Sequence, residues 1–400
     1  MRQKILLVSF FLVGCLYAAW SWISCAPGLV LSTNKLYWQA QNFLWDNFYS
    51  DRMLVTSIYV ILITLLLGLW LAMARTIKFA SAKQFWTTVI ILAVPFVCSY
   101  NALSYDVFNY LFNAKMVLVY HANPHVQVAL DFAGDDWVRF MHNVHTAAPY
   151  GYGFTLLSLL PVWATGVKFS LSWLAHKLIN VGLWAGMLAV YRRLAARRQS
   201  KVADYGWWLA LNPLVLMEIL GNGHNDLWMM LPALLSFVLA WLPSAKNRFV
   251  SVTASVLLYI LSLSIKFATL ALLPVMIVAW GAAWWPQWCE RLKKYVGDGS
   301  AVMMVLPLMT ARSQLFHPWY LVWALTFAPL CRSRYVRALL IILTASSLYR
   351  YGPYLWLNGY DSATLGWQQL ISWGPAVVYT IIIVGRMIYQ KYVAGSQAKN

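Results

Sequence analysis

The chain has 400 residues, of which 61% are hydrophobic and 10% are charged, and its formal net charge is +18. Soluble domains contain about 45–50% apolar and about 25% charged residues, so this composition excludes a soluble globular enzyme. We predict an all-α polytopic membrane protein, with residues 1–400 forming a single integral membrane domain. The basic residues cluster in short breaks between apolar runs, as is typical of cytoplasmic loops, so the positive charge does not indicate a nucleic-acid partner.

The first apolar run follows Arg2 and Lys4 and has the charge pattern of a signal peptide. It lacks a cleavage site of the small-x-small type, so we predict an uncleaved signal anchor. The five cysteines contain no Cys-x-x-Cys pair. The sequence therefore indicates neither a disulfide framework nor a zinc site.

Apolar runs predict membrane spans along most of the chain. The predicted spans are 5–23, 53–74, 85–103, 206–221, 225–242, 250–265, 267–285, 300–315, 318–331, 337–350 and 369–389. Several are shorter than the roughly 20 residues that a bilayer requires, so we expect some helices to extend or tilt. The stretch 153–191 is too long for one span, yet the basic loops beside it require an odd number of crossings. We interpret it as one span plus an interfacial or re-entrant piece, which brings the expected total to about 11–13 transmembrane helices.

The basic loops predict that both termini lie in the cytoplasm. The opposite side of the membrane then receives the polar segments 24–52 and 104–150, together with the ends of several spans. Most of the acids and histidines of the chain lie in these segments. We therefore expect one working face on the extracytoplasmic side of the cytoplasmic (inner) membrane, towards the periplasm or the outside.

Asp106 directly follows the predicted span 85–103 and opens an amphipathic stretch. Apolar and polar residues alternate at helical spacing up to Leu118, which predicts a short helix along the membrane interface. A carboxylate at the mouth of a membrane helix suggests chemistry at the bilayer surface. Asp106 is also a suitable N-cap for this helix, and the two roles are compatible.

A second polar group surrounds Glu218, which lies inside an apolar run where an ionisable side chain is costly and usually functional. Glu218 and Asn222 would be neighbours one helical turn apart. The following segment, Gly-Asn-Gly-His-Asn-Asp at 221–226, is equally typical of a tight reversal between two helices, with Asp226 capping the second.

A third group lies at the outer ends of the later spans. Arg312 and His317 together suit a phosphate, although His-Pro-Trp-Tyr at 317–320 is also typical of an aromatic belt with a helix-starting proline. Lys266 and Arg350 are further cations at outer ends, and each could simply extend to the lipid headgroups.

The loop 104–150 is rich in histidine and aspartate, which raises the question of a metal site. The residues concerned are His121, His125, Asp131, Asp135, Asp136, His142 and His145. Their spacing is not that of a known metal site, so we interpret them as solvated loop residues and predict no metal.

Several of these motifs occur in the order known from one group of membrane enzymes. They are Asp-x-Phe-x-Tyr at 106–110, Asn123-Pro124, Tyr150-Gly151, Asn212-Pro213, Gly-His-Asn-Asp at 223–226 and His-Pro-Trp-Tyr at 317–320. Over about residues 100–325 the chain resembles the GT-C superfamily of polyprenyl-phosphate-sugar-dependent glycosyltransferases. It is most similar to the bacterial polyprenol-phosphomannose-dependent mannosyltransferases (glycosyltransferase family 87 and alpha-1,6-mannosyltransferase type). His125 and Tyr152 replace the usual Tyr and Pro of two motifs, which leaves the sugar and the acceptor less determined than the chemistry.

The resemblance implies a GT-C-like helical bundle that transfers a hexose, with mannose favoured, from a polyprenyl-phosphate carrier to a hydroxyl of a glycan or lipid acceptor. It implies inversion at the anomeric carbon, with Asp106 as general base, and no cofactor beyond the lipid-linked donor. The implied phosphate-binding residues are Arg312, His317, Lys266 and Arg350. The implied sugar-binding or acceptor-binding residues are Glu218, Asn222, His224, Asp226, Tyr110, Asn123 and Tyr320. For Glu218, His224 and Asp226 the alternative role is to brace Asp106.

A transporter or flippase of a lipid-linked or anionic substrate is the main alternative. Glu218 and Lys266 would then be gating or coupling groups. The sequence shows no internal repeat, and its predicted cytoplasmic loops are short and almost purely basic. Both observations favour chemistry on one side of the membrane over transport across it.

Overall fold

The structure is a computed structural model of the chain. It describes residues 2–24, 34–74, 76–198, 205–242, 247–282, 284–285, 287, 292, 295–309, 316–359 and 361–397. Arg312, one of the predicted phosphate ligands, lies outside the described residues.

The described residues form helices and connecting turns without any strand, which confirms the all-α membrane class. The α-helices are α1 (Arg2–Ile23), α2 (Lys35–Leu44), α3 (Arg52–Met73), α4 (Ala82–Val97), α5 (Asp106–Tyr120), α6 (Tyr152–Ala164), α7 (Phe169–Arg198), α8 (Pro213–Val215), α9 (Asp226–Trp241), α10 (Arg248–Ile265), α11 (Leu273–Ala282), α12 (Val296–Val305), α13 (Leu321–Leu325), α14 (Arg334–Tyr349), α15 (Tyr351–Leu357) and α16 (Ser362–Gln397). Within this described part, α1, α3, α7, α10 and α16 are long and apolar enough to cross a membrane. Five further apolar stretches of 10–17 residues accompany them, and the total of 11–13 spans stays a prediction.

The ambiguous stretch 153–191 contains one long helix and one short one. α7 has 30 residues and can cross a membrane alone. α6 has only 13 residues and is about 20 Å long, too short for a bilayer core of about 30 Å. These lengths agree with the predicted span plus a short piece.

Two of the predicted spans do not form regular α-helices. Residues 206–221 form π-helical turns at Gly206–Ala210 and Leu216–Gly221 on either side of the three-residue α8. Residues 318–331 consist of 3₁₀ turns around the five-residue α13. Pro213, Pro318 and Pro329 each stand at the start of one of these short helical segments, where the missing N–H group has no intrahelical partner to lose.

The irregular segment 206–221 runs through the centre of the molecule. Every residue from 208 to 230 is buried. Non-helical backbone is tolerated at membrane depth only where protein surrounds it, and here the surrounding helices include α4 and α7. The protein therefore has a covered polar strip at its core, on which the site residues of this region lie.

The helix pairs around this strip use small polar side chains as contacts. α9 packs along α10, where Ser236 Oγ donates to the Ser255 carbonyl at 2.7 Å and Ser255 Oγ donates back to the Ser236 carbonyl at 2.8 Å. α1 packs on α3 and α4, α5 packs on α6, and α14 packs on α16. Serine hydrogen bonds of this kind hold helices together where the hydrophobic effect does not.

Candidate active site

A cavity of about 690 Å³ opens at the start of α5. Its walls are the turn before α5, the end of the 121–150 loop, the turn at 317–320 and the start of α15. The lining residues include Asp106, His142, Tyr150, His317, Trp319, Tyr320, Arg350, Tyr351 and Gln368. Residues far apart in the sequence thus meet around one space of the size that binds small ligands.

Asp106 presents its carboxylate to this cavity, with 19% of the side chain exposed. The N-cap position of α5 is occupied by Tyr105, so the prediction that Asp106 caps the helix is wrong. The carboxylate instead accepts a hydrogen bond of 3.4 Å from the Tyr150 hydroxyl, and Oδ2 lies 3.7 Å from Nδ1 of His224. Tyr150 and His224 therefore adjoin the carboxylate, which stays accessible from the cavity.

His224 lies between two carboxylates. Its Nδ1 faces Asp106, and its Nε2 lies 3.3 Å from Oε2 of Glu218. Glu218 also accepts hydrogen bonds from Asn222 Nδ2 at 3.0 Å and from the Tyr351 hydroxyl at 2.9 Å. The predicted contact between Glu218 and Asn222 is therefore confirmed, and both residues are buried behind the cavity rather than in its wall.

Two histidines and a tryptophan form a stack beside Asp106. The His224 ring centre lies 3.8 Å from the Trp319 ring centre, and the His317 ring centre lies 4.4 Å from the Trp319 ring centre. His317 lines the cavity, whereas His224 is fully buried. The motif at 317–320 is therefore part of the cavity wall, and its Tyr320 also lines the cavity as predicted for a substrate contact.

Lys266 and Asp226 form a buried ion pair. Lys266 Nζ lies 2.9 Å from Asp226 Oδ1, which also accepts a hydrogen bond of 2.6 Å from Trp323 Nε1. Neither charged residue lines the cavity. The predicted capping by Asp226 is wrong because Asn225 holds the N-cap position, and the predicted extension of Lys266 to the headgroups is wrong because the lysine is 8% exposed.

Arg350 differs from Lys266 because it lines the cavity. Arg350 is 3% exposed, so the alternative that its side chain extends to the lipid headgroups is wrong, as it is for Lys266. Its Nη1 donates to Ser372 Oγ at 3.2 Å. Among the described residues no carboxylate pairs with Arg350, so its charge is available to an anion in the cavity.

Tyr110 and Asn123 are predicted site residues that the structure does not place in the cavity wall. Tyr110 is buried below Tyr150, and the two hydroxyl oxygens lie 3.4 Å apart. Asn123 lines a separate hollow of about 610 Å³, beside His125 and Tyr152. Tyr110 packs against Tyr150 of the cavity wall, and Asn123 lies on a different surface.

The loop histidines and aspartates have separate partners. His142 packs on Tyr105 with ring centres 4.2 Å apart, and burial lowers its pKa below the ordinary value, although Asp106 acts against this shift. Asp135 pairs with Lys115 at 2.5 Å. Within the described ranges, no cluster of three or more His, Cys, Asp or Glu residues is arranged to hold a metal ion.

Several residues in and around the site are not predicted as site residues from the sequence. Tyr150 belongs to a motif of the resemblance but has no site role assigned there, and Tyr351 belongs to no motif. On α7, the buried residues His176, Lys177 and Asn180 are further polar groups that the sequence analysis does not predict as site residues. Their signal was polar side chains at three- and four-residue spacing inside an apolar helix.

Comparison with known proteins identifies similar sequences. Residues 4–282 match the family model described as "Alpha-(1->6)-mannopyranosyltransferase, N-terminal domain". A curated relative, Alpha-(1->6)-mannopyranosyltransferase A of Mycobacterium tuberculosis (strain ATCC 25618 / H37Rv), is 25% identical over 269 residues. The alignment covers 65% of this chain and 45% of the relative, so the chain spans about half the length of that protein. No solved structure matches the chain.

Proposed function

Since the chain belongs to the alpha-(1->6)-mannopyranosyltransferase family, we propose that it transfers mannose from a polyprenyl-phosphate carrier to a hydroxyl group of a glycan or lipid acceptor. The observation that carries this proposal is the cavity with the Asp106 carboxylate in one wall and the Arg350 guanidinium in another. An acid for the acceptor and a cation for the phosphate are what such a transfer needs. The family match favours this enzyme over the transporter alternative.

In the proposed reaction, the acceptor oxygen attacks the anomeric carbon of the mannose. The bond from that carbon to the phosphate oxygen breaks, and the electron pair leaves with the polyprenyl phosphate. The acceptor proton passes to the Asp106 carboxylate, which acts as general base. Attack from the face opposite to the leaving phosphate inverts the anomeric carbon. A positioned base of this kind typically contributes about 10²–10⁴-fold to the rate.

The leaving phosphate gains negative charge as the glycosidic bond breaks, so cations near it stabilise the transition state. Arg350 suits this role because it lines the cavity and has no described carboxylate partner. His317 lines the same cavity and supplies a further polar ring. Lys266 is less suited, since Asp226 already balances its charge. Arg312 keeps its proposed phosphate-binding role from the sequence alone.

The buried groups behind the cavity serve the base rather than the sugar in this proposal. His224 contacts Asp106 on one side and Glu218 on the other, so it braces the base. Asn222 and Tyr351 hold Glu218 in turn. The sugar itself would contact the aromatic and polar cavity wall, including Tyr320. The reaction requires no metal and no cofactor beyond the lipid-linked donor.

The basic loops support an orientation in which the cavity faces the extracytoplasmic side of the cytoplasmic membrane. A lipid-linked donor fits this side, because the polyprenyl chain stays in the bilayer while the phosphate and sugar reach the surface. Nucleotide sugars, in contrast, are supplied in the cytoplasm.

The test uses purified protein in liposomes with radiolabelled mannose donors and an acceptor panel of oligomannosides and mannolipids. An alpha product formed with inversion requires a beta-linked mannosyl phosphate, so we expect transfer from the beta-linked polyprenyl donor and an alpha linkage in the product by NMR. The alpha-linked polyprenyl donor and a nucleotide-linked mannose serve as comparators. Transfer from the nucleotide donor alone would refute the lipid-linked donor, and a retained anomer would refute inversion.

A further inference from the structure

Helix α7 carries a line of buried polar residues through the core. They are Ser172, Trp173, His176, Lys177, Asn180 and Trp184, each 8% exposed or less. Spacing of three and four residues places them on one side of the helix. Polar groups in this setting are costly unless they find partners, so the contacts that they make indicate what they do.

Asn180 holds the segment that carries Glu218 and His224. Its Nδ2 donates to the Ile219 carbonyl at 3.1 Å and to the His224 carbonyl at 3.0 Å. Its Oδ1 accepts a hydrogen bond of 2.7 Å from Trp228 Nε1. One side chain therefore ties together the backbone on both sides of the turn.

Neighbouring contacts strengthen this attachment. His176 Nε2 lies 2.9 Å from the Gly223 carbonyl, directly before His224. Gly223 has a positive φ of 74° and packs on Val107, one residue after Asp106. The backbone of this turn has no regular helical ladder, so donors from α7 satisfy carbonyls that would otherwise lack partners.

Lys177 holds a different segment, the turn that leads into Asp106. Its Nζ donates to the Ser99 carbonyl at 2.6 Å, directly after the end of α4. It is fully buried, and in the described part of the chain no carboxylate pairs with it. This amine donates to a carbonyl just beyond the negative end of the α4 dipole, where a donor is favourable.

The two segments are also joined to each other. Trp173 Nε1 donates to Asn101 Oδ1 at 2.7 Å, and Asn101 Nδ2 donates to the Asn222 carbonyl. α7 and these two segments thus form one hydrogen-bonded unit, with the proposed base at one end and its bracing histidine at the other.

We propose that Asn180 and Lys177 are positioning residues of the active site, each holding one of the two segments. Asn180 sets the place of His224 and Glu218, and Lys177 sets the place of Asp106. Their importance for catalysis rests on the proposed function. A displacement of about 1 Å in a catalytic group can cost about 10²-fold in rate, so small losses of contact here have large effects on turnover.

The first test is hydrogen–deuterium exchange on the full chain in detergent micelles, which does not depend on any activity. We expect Asn180→Leu to speed exchange about tenfold in residues 216–226, and Lys177→Met to do the same in residues 98–106. Trp184→Phe is the matched control, because Trp184 Nε1 donates one turn further along to the Leu209 carbonyl. Its effect should stay within residues 206–211. Equal changes in all segments for every variant would overturn the proposal.

The second test measures mannose transfer by the same variants. We expect kcat to fall about 10–100-fold for Asn180→Leu and Lys177→Met, with the donor KM within about twofold of the wild type. Asn180→Gln retains an amide donor and should recover part of the loss, and Trp184→Phe should keep the wild-type kcat. Selective exchange changes with unchanged kcat would overturn the catalytic part of the proposal. A wild type without any transfer would refute the proposed function, while the exchange experiment would still decide whether each residue holds its segment.

Discussion

Some of the charged residues around the cavity have a partner of opposite charge, and Arg350 does not have one among the described residues. Asp226 and Lys266 neutralise each other in a buried pair, and Glu218 shares His224 with Asp106. Arg350 faces the cavity without a described acid beside it. A substrate that carries negative charge would complete this arrangement, which is why the phosphate of the donor fits next to Arg350 in the proposed function.

Replacing Arg350 by glutamine should weaken the interaction with the donor phosphate. Hydrogen bonds to charged groups contribute about 1.5–3 kcal/mol, so we expect kcat/KM for the lipid-linked donor to fall about 10–100-fold. The kcat/KM of Arg350→Lys should lie between those of Arg350→Gln and the wild type, because lysine keeps the charge but lacks the planar guanidinium fork.

Arg334 provides the control for this experiment, since it is exposed at the other end of the same helix, α14. Arg334→Gln should leave kcat/KM near the wild-type value. Equal losses in the two variants would show that the Arg350 effect comes from the net charge rather than from the cavity.

At single residues, an ionisable group in or at the end of an apolar run is an informative signal, although it did not lead to His176 and Lys177 on α7. Glu218 stands out because burying such a group has a high cost, and Asp106, His317 and Arg350 stand out because they lie at the ends of predicted spans. The sequence does not reveal the partners of these groups, because only the fold brings the hydroxyls of Tyr150 and Tyr351 to Asp106 and Glu218.

Among the structural elements, the junction of α6 with α10 places two site residues next to each other. Gly151 N–H donates to the Ile265 carbonyl at 2.9 Å, so Tyr150 and Lys266 lie beside this contact. A Cβ atom on Gly151 would overlap the Ser264 carbonyl oxygen. The sequence shows Gly151 only as part of a motif, because the close approach of the two helices depends on the tertiary fold.

We expect Gly151→Ala to destabilise the protein, because the overlap is with backbone that cannot rotate away. Overpacking of this kind costs about 1–3 kcal/mol, which should lower the thermal midpoint by several degrees in detergent. Gly182→Ala on α7 is the control, since a Cβ there meets nothing within 4 Å. A Gly151→Ala midpoint equal to that of the wild type would contradict the packing seen here.

The loop 121–150 is held to α5 by Asp135. Burial would raise the pKa of this carboxyl, but hydrogen bonds from Lys115 and Tyr120 outweigh it and hold the pKa below the ordinary value of 3.8. Because this pKa is lower in the folded than in the unfolded protein, the carboxylate stabilises the loop at pH values above the unfolded pKa. This contribution is lost as the pH falls through the folded pKa.

The effect of Asp135→Asn should therefore depend on pH. We expect the variant to exchange backbone hydrogens faster than the wild type in residues 121–150 at neutral pH, with the difference shrinking below pH 3.8. Asp136→Asn, at the exposed neighbouring position, should behave like the wild type throughout. A difference between Asp135→Asn and wild type that stays constant with pH would contradict the assigned brace.

Long helices were better predicted than the central elements. The runs that became α1, α3 and α10 have the length and apolarity of a membrane span, so local sequence determines them. The segments 206–221 and 318–331 are equally apolar but carry Pro213, Pro318 and Pro329. Their π and 3₁₀ turns are tolerated because the surrounding protein covers them, and no local sequence pattern reveals this cover.

For the whole molecule, the basic loops predict that the 121–150 loop and the end of α7 lie on opposite sides of the membrane. Single cysteines at Gly134 and Arg193, in a chain whose five native cysteines are replaced by serine, test this arrangement. In intact cells, we expect an impermeant maleimide to label the first site and to label the second only after lysis. The reverse pattern would place the cavity on the cytoplasmic side.

The central claim is that Asp106 is the base in mannose transfer, and the most direct test compares Asp106→Asn with the wild type at equal protein level. With a labelled polyprenyl-phosphate mannose donor, we expect the variant to lose about 10²–10⁴-fold in kcat with little change in donor KM. Asp131→Asn, in the same extramembrane loop but outside the cavity wall, should transfer at the wild-type rate. Transfer by Asp106→Asn at the wild-type rate would contradict the assignment of Asp106 as the base.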